Sequence, residues 1–453
     1  MIASATGLVL VFLTPPLQVA DERCHLLRTV SLLDGHLLPV RGPAGECRLQ
    51  VPARAFEDAG RLSGETPFHP ERRYDRSVIA SIRSRPVQDG PDLLTGSCPG
   101  ASLYSPIAYA PQLVGVGVAR LWRASTPVMI WAGRLAGCCF FVLITTLALT
   151  LLAPRGDALL ALALMPMTLF QAASLSADGV LNALSFLFVA YTVRLMRCES
   201  PRMGQLGRLI LIGVAVGLVK TAYQPLTLVA WALIPAALRT WRQERRWWPL
   251  TLTVLVPACS LAAAWLWSAA VAPYFDPREW KPAVDVARQW EWIHAHPAAT
   301  LRRFVSSLVH LPERGREFIG VLGWLDTPMP KVWCEIYGFL LVATALGWVG
   351  RRPTADAPPP IALGARCLFL TAALMALLAG YAATLLYWEE VGSSGPIGIQ
   401  GRYLIPTALP ILLGVDQSLR LRHRVFVPRI VLLGCIVVSQ LILLWTVWNR
   451  YYG

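Results

Sequence analysis

Residues 14–25 read Thr-Pro-Pro-Leu-Gln-Val-Ala-Asp-Glu-Arg-Cys-His and join a first apolar segment to a long polar loop. The two prolines cannot continue a helix, so the chain must turn where the apolar segment ends. The acidic pair Asp21-Glu22 favours the start of a short helix, because carboxylates are stabilised near a helix N-terminus. On helical spacing Asp21, His25 and Arg28 share one face, so we expect an amphipathic helix whose polar face is turned to water. A solvated face with an acidic cap and no further role is the alternative interpretation.

The composition indicates a membrane protein. The chain has 453 residues, of which 55% are hydrophobic and 15% charged, and its mean hydropathy is +0.50. Apolar runs of about 20 residues, the length that spans a bilayer, recur along most of the chain. The formal net charge of +14 comes mainly from arginines that cluster between apolar runs. That placement fits the positive-inside rule better than nucleic-acid binding. We therefore expect an all-α polytopic membrane protein with about 11–13 transmembrane helices.

Hydropathy divides the chain into five predicted regions. They are a first transmembrane helix (1–17), a first extracytoplasmic loop with a juxtamembrane helix (18–103), a transmembrane helical core (104–272), a second extracytoplasmic loop (273–330) and the C-terminal transmembrane helices (331–453). The first helix lacks the basic n-region of a signal peptide, so we expect it to be retained. Cytoplasmic turns are predicted where arginines cluster, namely at 194–208, 239–246, Arg351-Arg352 and 420–429. Interfacial anchoring is predicted for Trp280, Trp290, Trp292 and Trp324.

The cysteines indicate packing rather than metal binding. There are ten, and none forms a Cys-x-x-Cys spacing, so a zinc site is not indicated. Cys47 and Cys98 lie in the first loop. If that loop is extracytoplasmic, these two cysteines are the predicted disulfide pair.

The polar stretch 171–178 interrupts the apolar pattern. Four apolar segments separate the first loop from the arginines near 197, although an odd number of crossings is required: 104–121, 127–153, 158–175 and 178–197. One segment therefore fails to cross, or two pair as half-helices around residues 171–178. Broken helices at membrane depth are tolerated where they line a cavity, so this stretch is predicted to face one.

Several ionisable residues lie beside apolar runs, where charges are costly and usually functional. Lys220 is one of only three lysines and could meet a phosphate; a snorkelling lysine or a buried ion pair is the alternative. Arg402 follows a glycine-rich loop and offers a fork suited to phosphate oxygens, or it anchors a helix end. Trp324 and Asp326 suit sugar binding, although an interfacial tryptophan beside a helix cap explains them equally well. Asp178 and Arg134 are the other notable charges.

Motifs of soluble enzymes are absent from the sequence, which contains no Gly-x-Gly-x-x-Gly, Walker, His-Glu-x-x-His or Gly-x-Ser-x-Gly pattern. The cytoplasmic loops are too short for a nucleotide-binding domain. A transferase of this architecture would therefore take its donor from a lipid phosphate presented at the outer face.

Five motifs in order resemble a bacterial domain-of-unknown-function family of polytopic membrane proteins. They are Pro15-Pro16-Leu-Gln-Val-Ala-Asp21-Glu22-x-x-His25-x-x-Arg28, Gln171-x-x-Ser174-x-Ser176-x-Asp178-x-x-x-Asn182, Lys220-x-x-Tyr223-x-Pro225, Gly323-Trp324-Leu325-Asp326-Thr327-Pro328 and Gln400-Gly401-Arg402-Tyr403. This family is similar to the GT-C glycosyltransferases, integral membrane enzymes that use polyprenyl-phosphate sugars. The resemblance implies that an acidic residue just after the first helix acts as catalytic base.

Carried over, the resemblance places the base on Asp21 or Glu22. His25 lies one helical turn after Asp21, so it is predicted to orient that carboxylate or to tune its pKa. The resemblance also implies a donor phosphate and sugar site formed by basic, aromatic and polar residues: Arg402, Lys220, Tyr223, Gln400, Tyr403, Trp324, Asp326, Arg28, Asp178 and Gln171. No metal ligand set is predicted and no cofactor is required, although a divalent cation at the acidic pair is an open alternative.

The predicted function is inverting transfer of a sugar from a polyprenyl-phosphate donor to a glycan or lipid-linked acceptor of the cell envelope. The expected location is the bacterial inner membrane, with the active site facing the periplasm. Two alternatives stay open, namely a transporter or flippase for lipid-linked saccharides, and a non-catalytic subunit of an envelope polysaccharide complex. The expected partners are these lipid-linked molecules and the bilayer, not nucleic acid.

Overall fold

The computed structural model describes residues 1–42, 47–83, 93–153, 155–279, 281–350, 360–415 and 427–453. The predicted positions Trp280, Arg351, Arg352 and Arg420 lie outside the described residues. Helices dominate the described chain, and its strands form three small sheets. The all-α polytopic class is therefore confirmed.

The N-terminal part consists of one apolar helix followed by a small folded unit, which we call the first loop (residues 18–103). Helix α1 (Ile2–Leu13) ends just before Pro15 and Pro16, as their missing N–H groups require. The elements that follow are α2 (Glu22–Leu33), β1 (Val40–Arg41), β2 (Cys47–Pro52), α3 (Ala53–Ser63), α4 (Ser77–Arg83), β3 (Leu93–Ser97) and α5 (Pro99–Ser102).

The first loop has its own sheet and apolar core. Its three strands are antiparallel in the order β1-β2-β3, with Arg48 opposite both Val40 and Ser97. Apolar side chains of α2 pack on those of β2 and α3: Leu26, Leu27, Leu49, Val51 and Leu62. This core holds α2 against the sheet and α3.

The central part contains most of the buried core. A 3-10 turn (Pro106–Tyr109) leads into α6 (Ala110–Leu121), α7 (Thr126–Leu152), α8 (Asp157–Ala163), α9 (Pro166–Ala172), α10 (Ala177–Leu195), α11 (Met203–Val219), a 3-10 segment (Thr221–Leu233) that continues into α12 (Ile234–Glu244), and α13 (Trp248–Val271).

The apolar segment predicted at 158–175 does not form one helix. It divides into α8 and α9 at Pro166, which cannot continue α8 and holds Met165 in an extended conformation. The residues between α9 and α10 then turn back, and Ser176 caps α10 by accepting a hydrogen bond from the Asp178 N–H. The segment at 158–175 is thus divided, whereas the segment at 178–197 forms the undivided helix α10.

The C-terminal part begins with two short 3-10 turns (Ala272–Tyr274 and Pro277–Glu279). It continues through α14 (Val286–Ala295), α15 (Pro297–Val309), α16 (Leu311–Gly320), β4 (Val321–Leu322), β5 (Thr327–Pro328), α17 (Lys331–Ala345), β6 (Val349–Gly350), α18 (Leu363–Tyr387), a 3-10 turn (Gly401–Leu404), α19 (Ile405–Val415), β7 (Val427–Pro428) and α20 (Arg429–Tyr451). Strands β4 and β5 pair antiparallel, and β6 pairs parallel with β7.

Six helical segments in the described chain are long and apolar enough to cross a bilayer: α7, α10, the run 221–244, α13, α18 and α20. Shorter apolar helices lie at Ile2–Leu13, Met203–Val219 and Gly401–Val415. Helix α10 is the central one, since 83% of its apolar window is buried against 28–44% for the other five. Asp178, in the first turn of α10, is therefore buried in the interior of the bundle.

The last helix fastens the first loop. Arg450 of α20 donates hydrogen bonds to the carbonyl oxygens of Thr66, His69 and Arg72 at 3.0, 3.0 and 2.7 Å. It also forms an ion pair with Asp326, at 3.0 Å. One guanidinium thus joins the first loop, the turn between β4 and β5, and α20.

Two predictions for the first loop are wrong. Of the predicted polar face of α2 only Asp21 reaches water, because His25 and Arg28 are buried in contacts with other parts of the chain. The disulfide is also different, since Cys98 bonds to Cys24 and not to Cys47. Because Cys24 lies in the first turn of α2, the disulfide ties that turn to the segment before α5.

Removing the disulfide is expected to destabilise the first loop. The bond closes a loop with a sequence separation of 74 residues, and loop-closure entropy predicts a loss of up to about 4 kcal/mol for Cys24→Ser with Cys98→Ser. Thermal unfolding in detergent measures it. Reductant should lower the wild-type midpoint to that of the double variant. The control Cys139→Ser, which changes an exposed cysteine elsewhere, should respond to reductant as the wild type does. A double variant as stable as the wild type would contradict the assignment.

Candidate functional site

Asp21 is the exposed member of the predicted acidic pair. It is the N-cap residue of α2 and adopts the left-handed conformation with φ of 62°, which aspartate tolerates better than most non-glycine residues. Its side chain is 54% exposed, and its Oδ2 accepts a hydrogen bond from Arg402 Nη2 at 2.9 Å. A carboxylate that molecules can reach is thus held against an arginine from the other end of the chain.

Glu22 is locked in a structural pair. Arg134 of α7 donates to both of its carboxylate oxygens at 2.7 and 2.6 Å, and neither side chain has any exposed surface. The other N–H groups of Arg134 donate to the carbonyl oxygens of Val11, Thr14 and Pro15. The Leu175 N–H donates to Glu22 at 3.1 Å as well. Glu22 therefore has no oxygen left for an incoming substrate.

His25 supports the site as a neutral group. Its Nδ1 contacts the Tyr109 hydroxyl at 2.8 Å, so its hydrogen bond goes to that tyrosine and not to Asp21. The ring also stacks on Tyr104, with centroids 6.2 Å apart. Burial lowers the pKa of His25 to about 4, which keeps the imidazole uncharged at neutral pH. The predicted orienting role towards the carboxylate thus lacks a direct hydrogen bond.

Behind Asp21 lie one more carboxylate and two cations. Lys220 forms an ion pair with Asp178, and Arg402 Nε lies 3.9 Å from the other oxygen of Asp178. We call Asp21, Asp178, Lys220 and Arg402 the charged cluster. All except Asp21 are largely buried. The buried ion pair, one of the alternatives for Lys220, is therefore the observed arrangement.

Aromatic rings surround the two cations. The Lys220 ammonium lies 5.2 Å from the Tyr104 ring centroid and 4.8 Å from that of Tyr403. The Tyr403 hydroxyl is 3.3 Å from Arg402 Nη2, and the Tyr223 hydroxyl donates to the Tyr403 carbonyl at 2.7 Å. The two distances from the Lys220 ammonium to the tyrosine rings are typical of cation–π interactions. Tyr403 therefore lies beside the charged cluster, and Tyr223 contacts it through the Tyr403 carbonyl.

Arg402 is positioned by its backbone. The Gly401 N–H donates to Glu317 of α16 at 2.7 Å, and Glu317 in turn pairs with Arg314 at 2.6 Å. A Cβ at Gly401 would lie only 2.3 Å from the Arg314 carbonyl oxygen, so only glycine fits there. Glu317 was not predicted as a site residue. Its spacing three residues after Arg314 on a helix is the only sequence signal for it.

The remaining predicted residues lie around the cluster or away from it. Arg28 donates to the carbonyl oxygens of Leu37 and Tyr104 at 2.8 and 3.1 Å and so holds Tyr104. Gln171 is buried, and neither its Oε1 nor the Oε1 of Gln400, next to Gly401, has a hydrogen-bond partner within the described part of the chain.

Trp324 and Asp326 make their contacts elsewhere. Asp326 pairs with Arg450 and accepts a hydrogen bond from the Trp324 N–H at 3.1 Å, while the Trp324 ring packs against Phe68. These contacts hold the turn between β4 and β5 against α20 and the first loop. We find no contact that brings either residue to the charged cluster among the described residues. As for metals, no group of three His, Cys, Asp or Glu side chains in the described chain could hold an ion.

The two neighbouring acidic residues should differ sharply in their effect on stability. Glu22→Gln leaves the Arg134 charge buried without its counter-ion, which typically costs about 3–5 kcal/mol. Asp21→Asn removes a half-exposed partner, and we expect a change within about 1 kcal/mol. Unfolding in detergent by denaturant compares them. Equal losses in the two variants would contradict the buried pair.

His25 should make the protein acid-sensitive. Its pKa is about 4 in the folded protein, against an ordinary value of 6.5. Between these values only the unfolded chain binds the proton, so stability falls as the pH drops from 6.5 to 4. The full loss is about 3 kcal/mol below pH 4. Melting temperatures measured from pH 7.5 to 4 should fall less steeply for His25→Gln. The exposed control His294→Gln should follow the wild type, and a parallel decline for His25→Gln would contradict this origin.

Comparison with known proteins places the chain in a family. The profile of DUF2142, described as a predicted membrane protein, matches residues 5–411. The match runs from α1 into α19 and includes the whole charged cluster. No curated protein matches the chain significantly, and no solved structure does so. Because the matched residues make up most of the sequence, this chain belongs to the DUF2142 family of predicted membrane proteins.

Proposed function

We propose that this protein is a GT-C-type glycosyltransferase that moves a sugar from a polyprenyl-phosphate donor to a glycan or lipid-linked acceptor, with Asp21 as general base. The observation that supports it is a half-exposed carboxylate 2.9 Å from the buried guanidinium of Arg402. An acceptor hydroxyl needs a base, and a departing phosphate needs a cation. Asp21 and Arg402 supply both groups side by side. Glu22 is left out of the proposal because Arg134 occupies it.

The formal charge of the cluster fits such a reaction. Asp21 and Asp178 balance Lys220 and Arg402, so the unliganded cluster is neutral. A polyprenyl-phosphate sugar is a phosphodiester with one negative charge, and it would compete with Asp21 for Arg402. Uptake of the acceptor proton by Asp21 then compensates the charge that the donor brings. Binding of the donor and activation of the acceptor are thereby coupled.

In the proposed step the acceptor oxygen attacks the anomeric carbon while its proton passes to Asp21. The bond from that carbon to the phosphate oxygen breaks, and its electron pair stays with the leaving polyprenyl phosphate. Attack from the side opposite the leaving group inverts the anomeric configuration. Arg402, with Lys220 behind it, stabilises the charge that grows on the phosphate. Tyr104 and Tyr403 close the sides of this site, and no divalent cation is needed to balance the charge.

We place the site at the extracytoplasmic face of the inner membrane. Asp178 opens α10, whereas Arg194 lies in the last turn of that helix. Lys220 ends α11, and the run that follows it descends to Arg242 in the last turn of α12. The arginine-rich helix ends thus lie opposite the charged cluster. The positive-inside rule assigns those arginine-rich ends to the cytoplasm, and so the cluster to the other face. The Cys24 disulfide beside Asp21 supports an oxidising compartment on the cluster's side.

A transporter or flippase for lipid-linked saccharides is the second candidate. It is favoured by the polar groups that follow Asp178 on α10, since both amide atoms of Asn182 and the hydroxyl of Ser185 are buried with no hydrogen-bond partner among the described residues. Polar groups inside a membrane often mark a pathway. A flippase would use the cations for binding alone, so Asp21 would not be needed for its activity. The third candidate, a non-catalytic subunit, would show no transfer when purified alone.

Sugar transfer by Asp21→Asn is the deciding measurement. In proteoliposomes with a panel of radiolabelled polyprenyl-phosphate sugars and a membrane-glycan acceptor fraction, the variant should lose about 10²–10⁴-fold in rate. Its binding of polyprenyl phosphate should persist, whereas Arg402→Gln should lose it. The control Asp276→Asn removes an outer-loop aspartate that pairs with Arg278, and it should transfer normally. Transfer by Asp21→Asn at the wild-type rate would refute the base. Loss of transfer when a chelator is added would refute the proposal that the charge is balanced without a metal ion.

A further inference from the structure

A groove away from the charged cluster lies between α1, α4 and α20. Its volume is about 880 Å³, and its walls are Val9, Phe12, Leu13, Arg76, Ile79, Ala80, Arg83, Trp448 and Tyr452. The Tyr452 hydroxyl donates to the Leu13 carbonyl at 3.0 Å and joins the ends of α1 and α20. The groove shares no residue with the charged cluster, so it is not part of the site proposed above.

The groove has two chemically different parts. Val9, Phe12 and Trp448 form an apolar wall that stays about half exposed, as expected of side chains that face lipid tails. On the side of α4, Arg76 and Arg83 supply two positive charges, and no acidic residue lines the groove. The salt bridges of the described chain include neither arginine, so both charges lack an acidic partner there.

Contacts with aromatic rings hold one of the cations in place. The Arg76 guanidinium lies 3.9 Å from the ring centroid of Tyr452 and 5.7 Å from that of Trp448. Tryptophan and tyrosine at the end of a membrane helix mark the level of the lipid head groups. The arginines therefore stand at head-group depth, directly beside an apolar wall at hydrocarbon depth.

We infer that this groove binds an anionic phospholipid of the surrounding bilayer. The phosphate would bridge Arg76 and Arg83, which suit phosphate oxygens through charge-assisted hydrogen bonds. The acyl chains would lie along Val9 and Phe12. A lipid fits better than a peptide, because the apolar wall is formed by the short apolar helix α1 and by α20, a candidate membrane span, and would therefore face lipid. It fits better than free phosphate, because the cations adjoin an apolar wall that a free ion would leave exposed.

Native mass spectrometry of the full chain, released from detergent with phosphatidylglycerol or phosphatidylcholine, tests the inference. The wild type should retain phosphatidylglycerol, and Arg76→Gln with Arg83→Gln should weaken that retention about tenfold, since charge-assisted bonds to the phosphate are lost. Arg76→Lys with Arg83→Lys should keep most of it. The control Arg302→Gln, an exposed arginine of α15, should behave like the wild type.

A second variant separates loss of the site from misfolding. Ala80→Trp fills the groove, keeps both arginines, and should block phosphatidylglycerol while the protein unfolds at the wild-type temperature. Inorganic phosphate should not displace the bound lipid. The inference is overturned if the double glutamine variant retains phosphatidylglycerol like the wild type, if Ala80→Trp binds it normally, or if inorganic phosphate competes it away.

Discussion

The ion pair between Glu22 and Arg134 is the interaction on which the architecture of the site depends. A charge inside a membrane bundle is costly unless it is paired and fully hydrogen-bonded, and Arg134 meets this demand with one carboxylate and three backbone carbonyls. These partners come from the end of α1 and the start of α2. The pair therefore fixes the turn after the prolines, and Asp21 is left projecting beside a neighbour that cannot move.

The site is assembled from parts of the chain that are distant in sequence. The first loop provides Asp21 and His25, Tyr104 follows it directly, and α10 and the end of α11 provide Asp178 and Lys220. Arg402 comes from the turn before α19 and is held through Gly401 by Glu317. Since the buried cations are balanced by the two carboxylates, the cluster can stay inside the bundle without a ligand. A phosphate would then replace an existing partner of Arg402 and would not have to enter an unbalanced field.

Much of this arrangement could be predicted from local pattern, and the rest could not. Apolar length located helices such as α7 and α13, and the proline at 166 explains the divided segment. Amphipathic spacing found the polar face of α2 but not its direction, because Arg134 lies 112 residues from Glu22. The same reason explains the disulfide, since Cys24 and its partner Cys98 are 74 residues apart and local pattern does not connect them. Asp326 was a candidate sugar ligand by sequence because its partner Arg450 lies far along the chain, in α20.

The bonds from α20 to the first loop have a consequence for how the protein is made. Arg450 binds the carbonyl of Arg72, 378 residues earlier in the chain. During synthesis that early unit emerges long before the arginine that binds it has been made. Arg402, the partner of Asp21, also comes late in the chain, 381 residues after Asp21. The nascent chain thus cannot form a complete centre while its middle helices are being inserted. Under the proposed function, lipid-linked donors in the membrane would meet a complete site only after Arg402 had been translated.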